Sequence, residues 1–234
     1  MNIRNFMRNK KVIMVNLFNL VPKINKQRIF KKLHIAEGTE TYKNASSFFD
    51  EICKIIAEKM KITAAFAETD VLNLGVSELD NCKKHVICFV SSNYNISETS
   101  NNMMSSGMYM KGYLLHEIAE DALFCASNEM NKIIRSNEGT SGYKLTRRYA
   151  AGDGIIDFNK QQEILDALKK EVAVDACLNE SQALIPEMSI LYLFGLIKKN
   201  MSGSISGNED EKCSECSLCQ NINCSYREEN NEKI

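Results

Sequence analysis

Proline and glycine are scarce, 2 and 11 among 234 residues, and no internal repeat is visible. That excludes a low-complexity chain and a solenoid. An excess of one charge is missing too: 29 Lys and Arg face 30 Asp and Glu, for a formal net charge of −1. A protein that binds nucleic acid or an anionic membrane by neutralising phosphates needs a cationic surplus, so neither partner is expected. No apolar run reaches the ~20 residues of a membrane span. The nearest approach to a targeting segment is Val12 to Val21, preceded by Arg4, Arg8, Lys10 and Lys11. Asn16 and Asn19 interrupt it and no small-residue cleavage site follows, so residues 1–28 read as an N-terminal extension, packed or loosely docked, of a cytoplasmic protein. What is present is ordinary: 44% of residues are hydrophobic, enough for one sizeable core or two small ones.

Periodicity supplies the elements. Phe48, Phe49, Ile52, Ile55, Ile56 and Met60 recur at helical spacing across Ala45–Ile62. His85–Val90 is a short, nearly continuous apolar run, the pattern of a buried strand. The Asn- and Ser-rich stretch Ser91–Ser106 reads as loop, a short helix being the alternative. The clearest helix runs from about Gly112 to Arg135, with Leu115, Ile118, Ala119, Ala122, Ala126, Met130 and Ile133 on one stripe. After a Gly-rich turn at Glu138–Gly142, Tyr143–Tyr149 alternates as a strand does, putting Tyr143, Leu145 and Tyr149 on one face with Arg147. A short helix over Asn159–Glu171, alternation over Val172–Leu178 and an apolar run over Ile190–Ile197 complete the chain to residue 199. Strands interspersed with long helices, without regular βαβ spacing, make an α+β fold the expectation.

Chemistry concentrates in two places. The first is Arg147-Arg148-Tyr149-Ala150-Ala151-Gly152-Asp153-Gly154, followed by Gln161 and by Asn179-Glu180-Ser181-Gln182-Ala183-Leu184-Ile185-Pro186. An arginine at a strand end before a Gly-x-Gly turn suits an anion, because glycines let the backbone approach a ligand; a solvated arginine beside a tight turn is the alternative. The pattern is not the GxGxxG fingerprint of a dinucleotide fold.

In order and spacing, these segments resemble the activation domain of cobalamin-dependent methionine synthase, over roughly Ile29 to Ile197. Arg148, Ala150 and Gly152 match the family's Arg-x-Ala-Pro-Gly-Tyr element, and Glu180, Ser181 and Pro186 match its later Thr-Glu-Ser…Pro element. Gly112-Tyr113-Leu114-Leu115 and Glu129 look like the helix that precedes the site in standalone relatives. Asp153 stands where the family has tyrosine, and Asn179 where it has threonine.

The resemblance implies a twisted, mainly antiparallel sheet flanked by helices, and S-adenosylmethionine held at Arg148, Ala150, Gly152, Asp153, Glu129 and Glu180. Arg148 would take the ligand's carboxylate, and the Ala150 backbone its amine or adenine. Restoring an aromatic residue at Asp153 is then expected to raise affinity. It implies an accessory rather than a self-sufficient enzyme. A corrinoid-binding methyltransferase partner carries the cobalamin, a flavodoxin-like donor supplies electrons, and methyl transfer from S-adenosylmethionine traps the cob(I)alamin that forms.

The second place is the tail, Cys213-x-x-Cys216-x-x-Cys219-x-x-x-x-Cys224, within residues 213–234 and reached through a Ser/Gly-rich, then acidic linker at 200–212. Four thiols this close can enclose zinc or an iron–sulfur cluster. Their clustering fits metal ligation in a reducing compartment better than a disulfide framework. The alternative function is therefore a redox or binding protein whose S-adenosylmethionine site has decayed and whose tail does the work. The other five cysteines (Cys53, Cys82, Cys88, Cys125, Cys177) sit mostly in apolar stretches and behave as small hydrophobes. His116-Glu117-x-x-Glu120 imitates a zinc-protease HExxH helix but lacks the second histidine, and reads as exposed helix charges. His34 and His85 have no partner nearby in sequence.

Overall fold

The computed structural model of the chain describes residues 12–15, 24–92, 95–140 and 142–198; the linker and the cysteine-rich tail lie outside them. Among the described residues, seven strands and six α-helices alternate irregularly: β1 (Val12–Val15), α1 (Lys26–Lys32), α2 (Glu40–Lys59), β2 (Ile62–Thr69), α3 (Ser77–Asp80), β3 (Lys84–Ser92), α4 (Ile96–Ser105), α5 (Tyr109–Thr140), β4 (Tyr143–Leu145), α6 (Gln161–Glu171), β5 (Cys177–Leu178), β6 (Leu184–Ile185) and β7 (Ser189–Lys198). The main sheet has the order β1-β2-β3-β7-β4, every pair antiparallel. β5 and β6 form a separate hairpin. This is the α+β, antiparallel, helix-flanked architecture that the sequence led us to expect. The sheet also takes in Val12–Val15, which lies inside the segment read as an extension.

Helix starts are set by local chemistry. Asn25, Thr39 and Asn95 each accept a backbone N–H of the first turn, from Arg28 (3.0 Å), Tyr42 (3.1 Å) and Glu98 (3.0 Å) respectively. Asn95 also donates to the Glu98 carboxylate (2.7 Å), closing the cap from both sides. The cap at Thr39 starts α2 five residues before the apolar periodicity does. Its end at Lys59 frees Ile62, expected in the helix, to open β2.

β2, like the short α1 and α3, is an element that sequence reading overlooked. Its residues alternate between two buried faces, Ala65 and Ala67 on one, Ala64 and Phe66 on the other. A strand covered on both faces has no polar alternation to reveal it. Ser91–Ser106, expected mainly as loop, contains the ten-residue α4.

One face of the sheet packs on α6 through Ile164, Leu165 and Leu168. The other packs on the C-terminal half of α5 through Leu123, Ala126, Met130 and Ile134. The N-terminal half of α5 leaves the sheet and joins α1, α2 and α4 around Leu114, Leu115, Ile118 and Ala122. The 32-residue α5 thus spans two cores, which its length at 1.5 Å per residue allows.

Two carboxylates on α5 are buried, and one of them, Glu117, belongs to the group expected to be exposed. Glu117 is buried and pairs with Lys32 of α1 at 2.6 Å, and Asp121 is buried against Arg28 at 2.7 Å. Among the described residues no group of three or more His, Cys, Asp or Glu could hold a metal, and no helix is long and apolar enough to cross a membrane.

His85 is wholly buried on β3. Its Nδ1 accepts from the Leu72 N–H (3.3 Å), and its Nε2 lies 3.3 Å from the Leu79 carbonyl at α3. Both contacts are satisfied by one neutral tautomer. Burial lowers the imidazole pKa below its usual 6.5, outweighing the bond to Leu79. Above about pH 6.5 both folded and unfolded forms are neutral and this stabilisation is complete. As pH falls below that value the unfolded chain takes the proton first, so stability is lost at up to about 1.4 kcal/mol per pH unit until the folded value is reached. Urea unfolding from pH 7.5 to 5 should show this loss in the native protein and a shallower one in His85→Gln. Identical slopes would remove His85 from the account.

Candidate functional site

The site is built on an irregularity in β4. Leu145 pairs with Leu196, and the Thr146 N–H donates to the Gly195 carbonyl (3.0 Å) while its hydroxyl accepts the Gly195 N–H (2.9 Å). Pairing then resumes at Tyr149 opposite Leu193. Arg147 and Arg148 therefore share the single position opposite Phe194, which is a β-bulge. An extra residue reverses the faces beyond it. Tyr143 and Leu145 pack on the α5 face, whereas Tyr149 is buried on the α6 face, correcting the shared face expected for them.

The bulge sends one guanidinium to each side. Arg147 stacks over Tyr149 at 4.4 Å, and the Tyr149 hydroxyl donates to Glu78 of α3. Burial first, and then the Glu78 acceptor, raise the Tyr149 pKa, so the phenol stays protonated and donates. Arg148 goes the other way and lies 3.8 Å over the ring of Tyr192, with Phe124 of α5 at 5.6 Å.

A directed chain of hydrogen bonds fixes the Arg148 seat. Its Nη1 donates to Ser127 Oγ (3.3 Å), which donates on to the Phe124 carbonyl (2.8 Å). Underneath, the Tyr192 hydroxyl donates to Asn131 Oδ1 (2.7 Å). Guanidinium has five N–H donors, and among the described residues Arg148 has no carboxylate partner. A half-buried, oriented cation with donors to spare suits a planar anion such as a carboxylate.

Beyond Arg148 the chain turns tightly. Gly152 has φ +81°, and a Cβ there would stand 3.0 Å from the Phe158 ring, so conformation and space both call for glycine. Asp153 fastens the turn: Oδ1 accepts from Ile155 N (2.9 Å) and Ile156 N (3.0 Å), and Oδ2 from Ala150 N (3.2 Å). The carboxylate at the family's tyrosine position is therefore occupied within its own loop, as is the Ala150 N–H. This reverses the expected effect of an aromatic residue there. Asp153→Tyr leaves three N–H groups without their acceptor and should cost about 1–2 kcal/mol of stability, in the range of lost caps. It should also weaken ligand binding; tighter binding in that variant would show that the loop opens to bind.

The second segment is tied to α6 through one residue. Gln161, buried at the start of α6, donates to the Gln182 carbonyl (2.6 Å) in the loop joining β5 to β6. Asn179 organises that loop by accepting from Ala183 N (2.9 Å) and Ser181 Oγ (3.1 Å). Glu180 is exposed at its tip. Glu129 is also exposed and pairs with Lys132 (2.9 Å). It is not brought to Arg148, because two residues' rotation along α5 separates it from the face carrying Ser127. Cys213, Cys216, Cys219 and Cys224 lie outside the described residues.

Sequence reading missed Phe124, Ser127, Asn131 and Tyr192. The available signal was polar: Ser127 and Asn131 are one helical turn apart, beside the apolar stripe, and both are buried.

Fold and site together define an α+β domain with a stacked, half-buried arginine on a sheet bulge beside a glycine turn. No family model matches the chain, and no curated protein matches it. Among solved structures it is similar to the MetH reactivation domain, crystallised bound to AdoHcy, with a TM-score of 0.58 at 10% identity, over 80% of this chain and 78% of that one. At that identity the likeness is one of fold.

Proposed function

We propose that the chain presents S-adenosylmethionine as methyl donor during reductive reactivation of a corrinoid-dependent methyltransferase, methionine synthase being the first partner to test. The observation that carries this reading is Arg148, oriented by Tyr192 and Ser127 and without a carboxylate partner among the described residues. The fold it shares with a domain solved with AdoHcy supports a ligand of that class. When bound, S-adenosylmethionine supplies an electrophilic methyl group on a sulfonium centre. The chain's own part is to hold the amino-acid end at Arg148, with Gly152 keeping the adjoining turn free of a side chain. Calorimetric titration of the intact protein with S-adenosylmethionine tests this, and no binding at millimolar ligand would rule it out.

A second reading has its own observation: Ala150 and Asp153 already satisfy each other. On that reading the site has decayed and the tail acts, as a redox or protein-binding element. Anaerobically purified protein should then carry about one zinc, colourless, or a brown iron–sulfur chromophore on Cys213, Cys216, Cys219 and Cys224. Metal-free protein whose tail thiols all react freely after reconstitution would defeat it.

A further inference from the structure

Of the four cations on α1, Lys26, Arg28 and Lys32 have three different seats. Arg28 and Lys32 pair with Asp121, Glu117 and Glu120 on α5. Lys26 has no carboxylate partner among the described residues. Its Nζ instead stands over three aromatic rings: Phe30 at 5.3 Å, Phe49 at 5.4 Å and Tyr42 at 5.9 Å from the centroids. Phe30 stands at 89° to Tyr42 and 84° to Phe49, so the rings form the floor and walls of a box. Phe30 and Phe49 are buried, which fixes two of the three sides.

The box is large for its occupant. A methyl carbon lies about 1.5 Å from its nitrogen and touches another carbon at about 3.5–4.0 Å, so a methylated ammonium meets a ring at roughly 5–5.5 Å. Phe30 and Phe49 stand within that range and Tyr42 just beyond it, which leaves a shell about one methyl group thick around a bare ammonium. Methylation keeps the positive charge, sheds hydration and adds carbon contacts, which is the chemistry that aromatic cages select.

We propose that Phe30, Tyr42 and Phe49 form a methylammonium cage and that Lys26 Nζ is a methylation site whose product occupies it. In the transfer, the lone pair of the neutral Lys26 amine forms an N–CH3 bond as the S–CH3 bond of a sulfonium donor breaks. The donor sulfur keeps the bonding pair and leaves as a thioether, the nitrogen takes up the positive charge as a methylammonium, and the one proton lost is that which the Lys26 ammonium gives to water before it attacks. The donor is S-adenosylmethionine, delivered by a separate lysine methyltransferase, so the proposal is independent of the Arg148 site.

Two measurements test it. Mass spectrometry of the Lys26 peptide from protein isolated from the cells that make it should find one to three added methyl groups, and an unmodified Lys26 overturns the modification. Reductive methylation of the folded protein with 13C-formaldehyde should give one dimethyl-lysine signal shifted upfield of the others by ring currents. That signal should vanish in Lys26→Arg and move back toward the others in Tyr42→Leu. A Lys26 signal among those of the exposed lysines overturns the cage.

Discussion

Arg148→Ala is expected to weaken S-adenosylmethionine binding by about 1.5–3 kcal/mol, a roughly ten- to 150-fold rise in Kd. The magnitude follows from what the side chain offers: a full charge held flat on Tyr192 at 3.8 Å, with one donor committed to Ser127 and no carboxylate partner among the described residues. A ligand carboxylate gains charge-assisted bonds without first ordering the arginine. Arg148→Lys should recover little of the loss, because lysine restores the charge but neither the planar fork nor the stack. Tyr192→Leu should weaken binding while leaving Arg148 in the chain, since the platform beneath the guanidinium disappears. Calorimetry with S-adenosylmethionine and with AdoHcy reads all three variants. An unchanged Kd in Arg148→Ala would place the ligand elsewhere on the protein.

The largest stability loss is expected at the α1–α5 contact. Arg28 makes a two-pronged pair with Asp121, at 2.8 and 2.7 Å, and its Nη2 also donates to Cys125 Sγ at 3.1 Å. The Asp121 side chain is only 3% exposed and Arg28 is 30% exposed. Arg28→Ala strands a buried carboxylate and should cost about 3 kcal/mol, the low end for a broken buried pair because water reaches the arginine. Replacing both partners by apolar residues, Arg28→Met with Asp121→Leu, removes the stranded charge and should recover most of the loss. Truncating Glu120, 43% exposed and paired to Lys32, should cost no more than about 1 kcal/mol. Urea unfolding of the single and double variants gives the coupling. Purely additive losses at Arg28 and Asp121 would mean that the pair does not act as a unit.

Elements governed by local chemistry were legible before the fold was known. The α5 stripe from Leu115 to Met130 and the β3 run from His85 to Val90 read correctly, because each pattern reports a buried surface directly. β2 was not legible, since alanines buried on both faces leave no period to detect. The charge at Glu117 was misread, and that at Asp121 passed over, for a related reason. A helical wheel shows which residues share a side, but not that α1 returns to bring Lys32 and Arg28 against that side.

The site divides in the same way. Sequence by itself determined that Arg148 precedes a turn at Gly152, because a positive φ demands glycine wherever the turn sits. It also placed Gln161 and Asn179 in the segments that later meet. Only the tertiary structure decided that Arg147 and Arg148 point to opposite faces, that Asp153 is consumed by its own loop, and that Ser127, Asn131 and Tyr192 form the seat. A bulge is a mismatch of register between two strands, and β4 finds β7 only after α6 and the β5–β6 hairpin have intervened. Local sequence carries each strand's propensity. The offset between strands is set by packing both sheet faces at once.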